Sequence, residues 1–380
     1  MDQVKLGIIG CGNISSAYLT GGARSRLVAV KAVTDMLPEA AARRAEEYGV
    51  AAVALDKMLA DPEIAIVINL TVPLAHAEIS HRAIAADKHV YSEKPFAATF
   101  AEGRELAAAA RAKGLRLGSA PDTFFGAGHQ AARYVIDEGR IGRVVGGAVC
   151  FAGPGMESWH PNPSFFFKRG GGPVLDIGCY PITQLVNCLG PVASVMAHAS
   201  RAHETRTVTS EPRRGEVIQV EVPTTVNGVL EFANGASVAL TVSWDIWKHA
   251  RLPIELYGTE GSLLNPDPNF FGGPTRVSAR NGEWQDLPLA AHPFGTPTRK
   301  NNAGSEVADY RMVGVFDMAC AIAQGRPHRA NGDLALHVLE VMEALERSSV
   351  EGRRVRIETI CERPSPVPLG EGEEVFLARS

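Results

Sequence analysis

Three ionisable side chains stand in motifs where they could move protons. Lys94 belongs to S-E-K-P, directly after the short apolar segment 89–92, and the proline that follows disfavours helical geometry at Lys94. Asp176 and Tyr180 follow a run of glycines in G-G-G-P-V-L-D-I-G-C-Y. On a helix that begins near Asp176, residues four apart share one face, so the carboxylate and the phenol would converge on one ligand. Amine, carboxyl and phenol groups are common side chains of acid–base chemistry.

Each motif also has an ordinary structural interpretation. Lys94 could be a surface lysine in a turn. Asp176 could cap the N-terminus of the helix, and Tyr180 could be an aromatic residue of the core. The sequence leaves both interpretations open, so the elements that position these residues matter.

A glycine turn near the start of the chain predicts a dinucleotide site. The apolar segment 4–9 has no helical period and is followed at once by G-C-G-N-I-S, as in a buried parallel strand that ends in a tight turn. Gly10 permits the turn, and Gly12 lets the backbone approach a pyrophosphate. The helix that opens at Asn13 and Ile14 would direct its unpaired amides and its positive dipole end at that anion.

A carboxylate one strand later supports this prediction. The apolar segment 27–34 ends at Asp35, where an acidic side chain would hold an adenosine ribose. A carboxylate repels a 2'-phosphate, which favours NAD over NADP, although Arg43 and Arg44 leave NADP use open. The third position of the fingerprint is Ser15 instead of Gly or Ala, so a glycine-rich turn without a ligand is the alternative.

Length and charge favour a two-domain protein that binds small molecules. The 380 residues exceed the size at which one core usually divides, and 45% of them are hydrophobic. The formal net charge is −4 without a basic stripe, so we expect neither nucleic acid nor a membrane as a partner. The longest apolar run, 64–74, is too short to span a bilayer, and the first strand starts close to Met1, so we expect a cytoplasmic protein.

The cysteines and histidines give no sign of a metal or disulfide framework. The six cysteines form no C-x-x-C pair, which predicts free thiols in a reducing compartment. The sequence contains no H-E-x-x-H motif or Cys/His cluster, so we expect no metal.

The pattern of elements divides the chain. The first third alternates short apolar runs with helical patterns, as in an α/β domain with a doubly wound parallel sheet. From residue 122, alternating strands with few helices predict an α+β domain with a mostly antiparallel sheet. We therefore expect a nucleotide-binding domain at 1–121, an α+β domain at 122–361 and a C-terminal tail at 362–380.

Together these motifs resemble the glucose-fructose oxidoreductase, inositol dehydrogenase and rhizopine-catabolism (Gfo/Idh/MocA) family. The resemblance covers most of the chain, with further matches at 61–77, 257–263 and 325–330. It implies a Rossmann domain, a second domain with a large open sheet, and NAD(P)-dependent oxidation or reduction of sugars and cyclic polyols. Homodimers or homotetramers formed through the open sheet are a further implication.

The resemblance also assigns roles to individual residues. It makes Lys94 catalytic and places Asp176 in the same site. Four positions that would line the cofactor, besides the glycine turn, are Thr71, Pro73, His76 and Glu93.

Several positions depart from the commonest family pattern. Many members have His where Tyr180 stands, and the Tyr form resembles the branch with glucose-fructose oxidoreductase and dimeric dihydrodiol dehydrogenase. We expect further substrate contacts from Asp122 and from a loop with Trp159 as an aromatic wall and His160 as a polar contact. The substrate's identity cannot be transferred from a familiar member.

The predicted reaction is hydride transfer between nicotinamide C4 and a carbinol or carbonyl carbon. Tyr180 would be the general acid–base group, Lys94 would stabilise its phenolate, and Asp176 would orient the substrate hydroxyl or Lys94. The alternative assignment makes Lys94 the proton-transfer group and Tyr180 a positioning residue. Alternative functions on this scaffold are a non-catalytic sensor of dinucleotide or sugar, an aldose–aldose oxidoreductase and a trans-dihydrodiol dehydrogenase.

Overall fold

A computed structural model describes residues 3–301 and 304–377. In those residues the strands are β1 (Val4–Ile9), β2 (Val28–Thr34), β3 (Ala51–Ala52), β4 (Ile64–Asn69), β5 (His89–Ser92), β6 (Leu117–Ser119), β7 (Val144–Ala152), β8 (Val192–Ser200), β9 (Thr205–Thr207), β10 (Val217–Gln219), β11 (Thr225–Phe232), β12 (Ser237–Ser243), β13 (Ile254–Gly258), β14 (Gly261–Asn265), β15 (Arg276–Ala279), β16 (Gln285–Asp286), β17 (Arg299–Lys300), β18 (Glu306–Val307) and β19 (Val355–Arg356).

The α-helices are α1 (Ser15–Arg24), α2 (Pro38–Tyr48), α3 (Leu55–Ala60), α4 (His76–Ala85), α5 (Phe100–Ala112), α6 (Ala127–Asp137), α7 (Cys179–Leu189), α8 (Val313–Gln324) and α9 (Gly332–Glu351). Short 3-10 turns lie at Pro73–Ala75, Thr123–Phe125, Ser164–Phe167 and Gly372–Phe376, and a π-helical turn lies at Val174–Gly178. Of the helices in the described residues, none has the length and apolar character needed to cross a membrane.

The chain folds into two compact units. The first combines segments 1–127, 289–336 and 364–380, and the second combines 128–288 and 337–363. This division differs from the contiguous boundaries predicted from the sequence, because two later segments of the chain pack with the first unit.

The last of these segments is attached by side-chain contacts. The guanidinium of Arg329 donates to the carbonyls of Ser365 and Pro366 at 2.9 and 3.1 Å. The buried ring of Phe376 stacks on Phe294 with centroids 5.8 Å apart. Residues 364–377 are therefore an ordered part of the first unit.

The first unit contains a six-stranded sheet in the order β3-β2-β1-β4-β5-β6, and every pair in it is parallel. The strand order reverses between β1 and β4, which is the point where doubly wound sheets bind ligands. Ile9 is in register with Asn69, and Asn69 with Ser92, so three strands end side by side. The predicted doubly wound sheet is confirmed, and it brings the glycine turn and the S-E-K-P segment to one edge.

The second unit contains a nine-stranded sheet in the order β16-β15-β14-β13-β7-β12-β11-β8-β19. The β7–β12 pair is parallel and the other pairs are antiparallel, which confirms the predicted mostly antiparallel sheet. Gly228 of β11 faces α9, since a Cβ there would lie 2.9 Å from Leu345. On the opposite face Val229 and its cross-strand neighbour Met196 are 43% and 57% exposed.

Candidate active site

The glycine turn has the geometry that a dinucleotide site needs. Gly10 has φ +99°, and a Cβ there would lie 2.5 Å from the carbonyl oxygen of Leu70, so no other residue fits. A Cβ on Gly12 would meet no atom within 4 Å, so this glycine leaves open space above the backbone. A pyrophosphate can approach the chain at that point.

A cavity of about 890 Å³ opens at this edge of the first unit. Its lining comes from the ends of neighbouring strands and includes Gly10, Gly12, Asp35 and Thr71. A glycine turn at one part of the wall and a carboxylate at another match the diphosphate and ribose of a dinucleotide. The residues present therefore fit NAD.

Asp35 is held in place by the backbone. One carboxylate oxygen accepts the Cys11 N–H at 2.7 Å, and the other accepts the Leu37 N–H at 2.9 Å. Each oxygen has a second lone pair with which it can accept a ribose hydroxyl. The carboxylate is thus oriented before a cofactor binds.

The predicted cofactor residues after β4 form one hydrogen-bonded group. The side-chain oxygen of Asn69 accepts both the hydroxyl and the N–H of Thr71, at 2.7 and 3.2 Å, and Pro73 opens the turn that follows. His76 is fully buried, and its two ring nitrogens lie 2.7 Å from the Pro95 carbonyl and 3.0 Å from the Thr71 carbonyl. Burial lowers the pKa of His76, against the raising effect of its contacts with the Pro95 and Thr71 carbonyls, and the ring lies between two turns at the sheet edge.

Glu93 and Lys94 are held in place by Tyr18, a residue that the sequence analysis missed. The Tyr18 hydroxyl donates to one oxygen of Glu93 at 2.9 Å, and the other oxygen accepts the Lys94 N–H at 2.9 Å. Burial, reinforced by the charge of Glu93, raises the pKa of Tyr18 well above its usual value, so the phenol remains a donor. Tyr18 lies on the buried face of α1, where an aromatic residue gives no signal other than core packing.

The glycine run in the second unit is required by close backbone packing. A Cβ on Gly171 would lie 2.4 Å from the carbonyl oxygen of Phe166. Gly172 has φ +93°, and its N–H donates to that carbonyl at 2.7 Å. The Gly172 carbonyl in turn accepts the N–H of Asp176 at 3.0 Å, so the glycines lead directly into the turn that carries this carboxylate.

Asp176 lies inside the π-helical turn, and Tyr180 lies in the first turn of α7. The residue before α7 is Gly178, so Asp176 is not its N-cap, and that structural alternative is not supported. Turns of the π type are frequent at functional sites. Tyr180 is 7% exposed, with its ring edge-on to Phe151 at 6.4 Å, so it also has the packing of a core aromatic.

The loop before the glycine run brings aromatic rings together. Trp159 is 52% exposed and its ring is edge-on to His160 at 5.4 Å. His160 also contacts Phe166, with centroids 5.1 Å apart. Burial lowers the pKa of His160, while the Asn162 N–H contact and the charge of Asp176 act in the opposite direction.

Arg206 is a second residue that the sequence analysis missed. Its guanidinium donates to Glu157 at 2.6 Å and to the Pro154 carbonyl at 3.3 Å, and it also pairs with Asp245. The Arg206 side chain is 8% exposed and the two carboxylates are each 12% exposed. This buried ion cluster fixes the start of the loop that carries Trp159. No local motif marks Arg206, because its partners are distant in sequence.

Asp122 has surroundings that do not support the predicted substrate contact. It is 2% exposed, and one carboxylate oxygen accepts the N–H groups of Met312 and Gly314 at 3.1 and 3.0 Å. Burial raises the pKa of Asp122 to about 7. Asp122 stabilises the start of α8 within the first unit.

The described residues contain no cluster of three or more His, Cys, Asp or Glu side chains that could hold a metal ion. The six cysteines are buried and free.

Comparisons with known proteins decide the family. Residues 4–120 match the model of the oxidoreductase family with an NAD-binding Rossmann fold, and residues 129–264 match the Gfo/Idh/MocA C-terminal domain. This chain belongs to the Gfo/Idh/MocA oxidoreductase family. The family resemblance stated from the motifs is confirmed.

Individual relatives of this Gfo/Idh/MocA chain act on sugars. A 1,5-anhydro-D-fructose reductase of Ensifer adhaerens is 27% identical, over 93% of this chain and 99% of that protein. A levoglucosan dehydrogenase of Pseudarthrobacter phenanthrenivorans is 28% identical, over 86% of this chain and 90% of that protein. The structure of an NAD-binding oxidoreductase from Klebsiella pneumoniae shares the fold, with a TM-score of 0.81 at 23% identity over 94% of this chain and all of that one.

Proposed function

We propose that this chain is an NAD-dependent dehydrogenase or reductase that acts on a CH–OH or carbonyl group of a sugar, sugar derivative or cyclic polyol. The observation that carries the proposal is the pre-formed dinucleotide edge of the first unit, with Lys94 directly beyond it. The relatives named for anhydrofructose, levoglucosan and D-xylose support a sugar as the class of substrate.

The side chains of the chain would bind the substrate and manage its proton. When bound, NAD supplies the hydride acceptor, and NADH the hydride donor, at C4 of the nicotinamide. Tyr180 would take the proton from the reacting hydroxyl, and the positive charge of Lys94 would favour its phenolate. Asp176 would orient the hydroxyl through a charge-assisted hydrogen bond. The alternative assignment, in which Lys94 moves the proton and Tyr180 positions the substrate, stays open.

Two residues of the aromatic loop would contact the substrate ring. The half-exposed indole of Trp159 offers an apolar face, on which the C–H groups of a sugar could pack. His160 would supply a polar contact through its Nε2, because its Nδ1 already accepts the Asn162 N–H at 3.0 Å.

The test is the initial rate of nicotinamide reduction by the purified protein. NAD and NADP are supplied separately with aldoses, anhydrosugars, inositols, glycosides and a trans-dihydrodiol. Turnover of a sugar or cyclic polyol with NAD is the expected result. Dinucleotide binding without turnover of any of these compounds would contradict the proposal and favour a sensor.

The open face of the nine-stranded sheet supports a homo-oligomer, either a dimer or a tetramer. Met196 and Val229 lie side by side on that face, and Tyr257 of β13 is 40% exposed. Light scattering of the wild type and of Val229→Lys would test this, and a monomeric wild type would contradict it. We also propose a cytoplasmic location, which the six buried thiols support.

A further inference from the structure

The third position of the glycine fingerprint forms an unusual contact in this chain. Ser15, which stands where Gly or Ala is usual, is completely buried. Its hydroxyl donates to the Gly12 carbonyl at 2.6 Å and accepts from Nε of Arg44 at 3.1 Å. A second nitrogen of Arg44 lies 3.4 Å from the same Gly12 carbonyl. Arg44 therefore reaches from α2 to both ends of the turn.

Burial of the Ser15 hydroxyl explains why a partner is needed. A serine hydroxyl can donate one hydrogen bond, and the Gly12 carbonyl accepts it. Without a further donor, the lone pairs of the Ser15 oxygen would be buried and unsatisfied. Arg44 supplies that donor. Its own side chain is 16% exposed and pairs with Glu47 at 2.6 Å on the same helix, so the guanidinium is held in one orientation.

We propose that Arg44 is a positioning residue for the cofactor, which holds the Gly12–Ser15 turn in the conformation that receives the diphosphate. The inference rests on the NAD site of the proposed function and extends it to a residue of α2. The turn is the last backbone before α1, and its conformation sets the direction of the first amides of that helix. The positive charge of Arg44 also lies near this turn, where it opposes the effect of Asp35 on the Cys11 thiol.

A different role for Arg44 would give a different result. An arginine after β2 can bind the 2'-phosphate of NADP in Rossmann domains. If Arg44 had that role, its loss would weaken NADP binding and leave NAD binding unchanged. A residue that holds the turn affects binding of the diphosphate, which NAD and NADP share. Its loss should therefore weaken the binding of both cofactors equally.

The experiment measures dissociation constants of NAD and NADP by calorimetry for the wild type, Arg44→Met and Arg44→Lys. Arg43→Met is the matched control, because it removes the same charge from the neighbouring, exposed position. We expect Arg44→Met to raise both constants about tenfold, ~1.4 kcal/mol, with Arg44→Lys intermediate and Arg43→Met within about twofold of the wild type. The value of kcat at saturating NAD should change much less than KM.

A double-mutant cycle with Ser15→Ala gives the second readout. Because Ala does not need the guanidinium, Arg44→Met should have a smaller effect in the Ser15→Ala background than in the wild type. Three results would each overturn the inference. Arg44→Met could have the same effect in both backgrounds, Arg44→Met and Arg43→Met could have equal dissociation constants, or only NADP binding could be lost. Thermal unfolding checks that the variants fold. If Arg44→Met does not fold, the double-mutant cycle is completed with Arg44→Lys and Ser15→Ala. Since binding is measured without turnover, failure of the substrate panel would contradict the proposed function and not this inference.

Discussion

The two units fix their candidate functional groups in different ways. In the first unit, backbone hydrogen bonds at adjacent strand ends orient the cofactor residues, as the two amides on Asp35 show. In the second unit, Trp159 and His160 lie on a loop that is fixed by a buried ion cluster around Arg206. Backbone geometry at a strand end follows from the fold, whereas a buried ion cluster depends on which side chains stand at distant positions of the sequence. The difference explains why the cofactor can be assigned from the fold and the substrate cannot.

The largest effect should come from the two residues proposed for proton transfer, Lys94 and Tyr180. Lys94→Met and Tyr180→Phe should each lower kcat by roughly 10²- to 10⁴-fold, the range typical of acid–base groups. The dissociation constant of NAD should stay within about twofold. Steady-state kinetics on the substrate identified by the panel, with a parallel NAD titration, gives both values. Wild-type turnover in Tyr180→Phe would exclude Tyr180 as the proton-transfer group.

The cofactor side of the molecule could be predicted from the sequence for a physical reason. Gly10, Gly12 and Asp35 act through local geometry, namely a tight turn, a close approach and a strand end, and each leaves a short-range signal. Tyr18 acts through Glu93, 75 residues away, and leaves none. The doubly wound sheet could be predicted for the same reason, because the alternation of apolar runs and helical patterns is also a short-range signal.

The substrate side could be predicted less well, because its contacts join distant segments. Arg206 pairs with Glu157 and Asp245, which are 49 and 39 residues away. The prediction for Asp122 placed it correctly after β6 but missed the amides of Met312 and Gly314, which lie 190 and 192 residues further on. Long-range packing of this kind also brings residues 364–377 to the first unit, against the predicted boundaries.

The second-largest effect should come from Arg206→Met, which tests whether the ion cluster orients the loop that carries Trp159. Arg206→Met leaves the buried carboxylates of Glu157 and Asp245 without their partner, which costs about 3–5 kcal/mol in comparable cases. We expect a lower urea midpoint and a higher KM for the sugar, with the dissociation constant of NAD little changed. Denaturation and steady-state kinetics measure these quantities.

The matched control for Arg206 is Arg214→Met. Arg214 pairs with Glu211 at 2.7 Å, but both side chains are more than half exposed, so little stability should be lost. Glu157→Gln is a milder substitution that keeps a hydrogen-bonding side chain if Arg206→Met does not fold. An unchanged KM for the sugar in both Arg206→Met and Glu157→Gln would show that the ion cluster does not orient a substrate-binding loop. The KM in Arg214→Met should equal that of the wild type.

A smaller effect should appear in cofactor preference. Asp35→Asn keeps the size of the side chain and removes the charge that repels a 2'-phosphate, but its amide nitrogen cannot accept one of the two backbone N–H groups that Asp35 accepts. The ratio of KM for NADP to KM for NAD should fall about tenfold, the size of one modest charge–charge interaction. Rates with each dinucleotide at a fixed substrate concentration measure the ratio. An unchanged ratio would mean that Asp35 does not face the ribose.

The smallest effect on activity should come from Asp122, whose buried carboxylate accepts two backbone amides of the first unit. Burial raises its pKa from 3.8 to about 7, so the folded state binds a proton that the unfolded state releases between those values. Stability from this group is therefore greatest at low pH and falls as the pH rises from about 4 to 7. Asp122→Asn can still accept the two amides but cannot titrate, so its urea midpoint should fall less than that of the wild type between pH 5 and pH 8. Parallel slopes for the two proteins would contradict the shifted pKa, and a large loss of turnover in Asp122→Asn would return Asp122 to the substrate site.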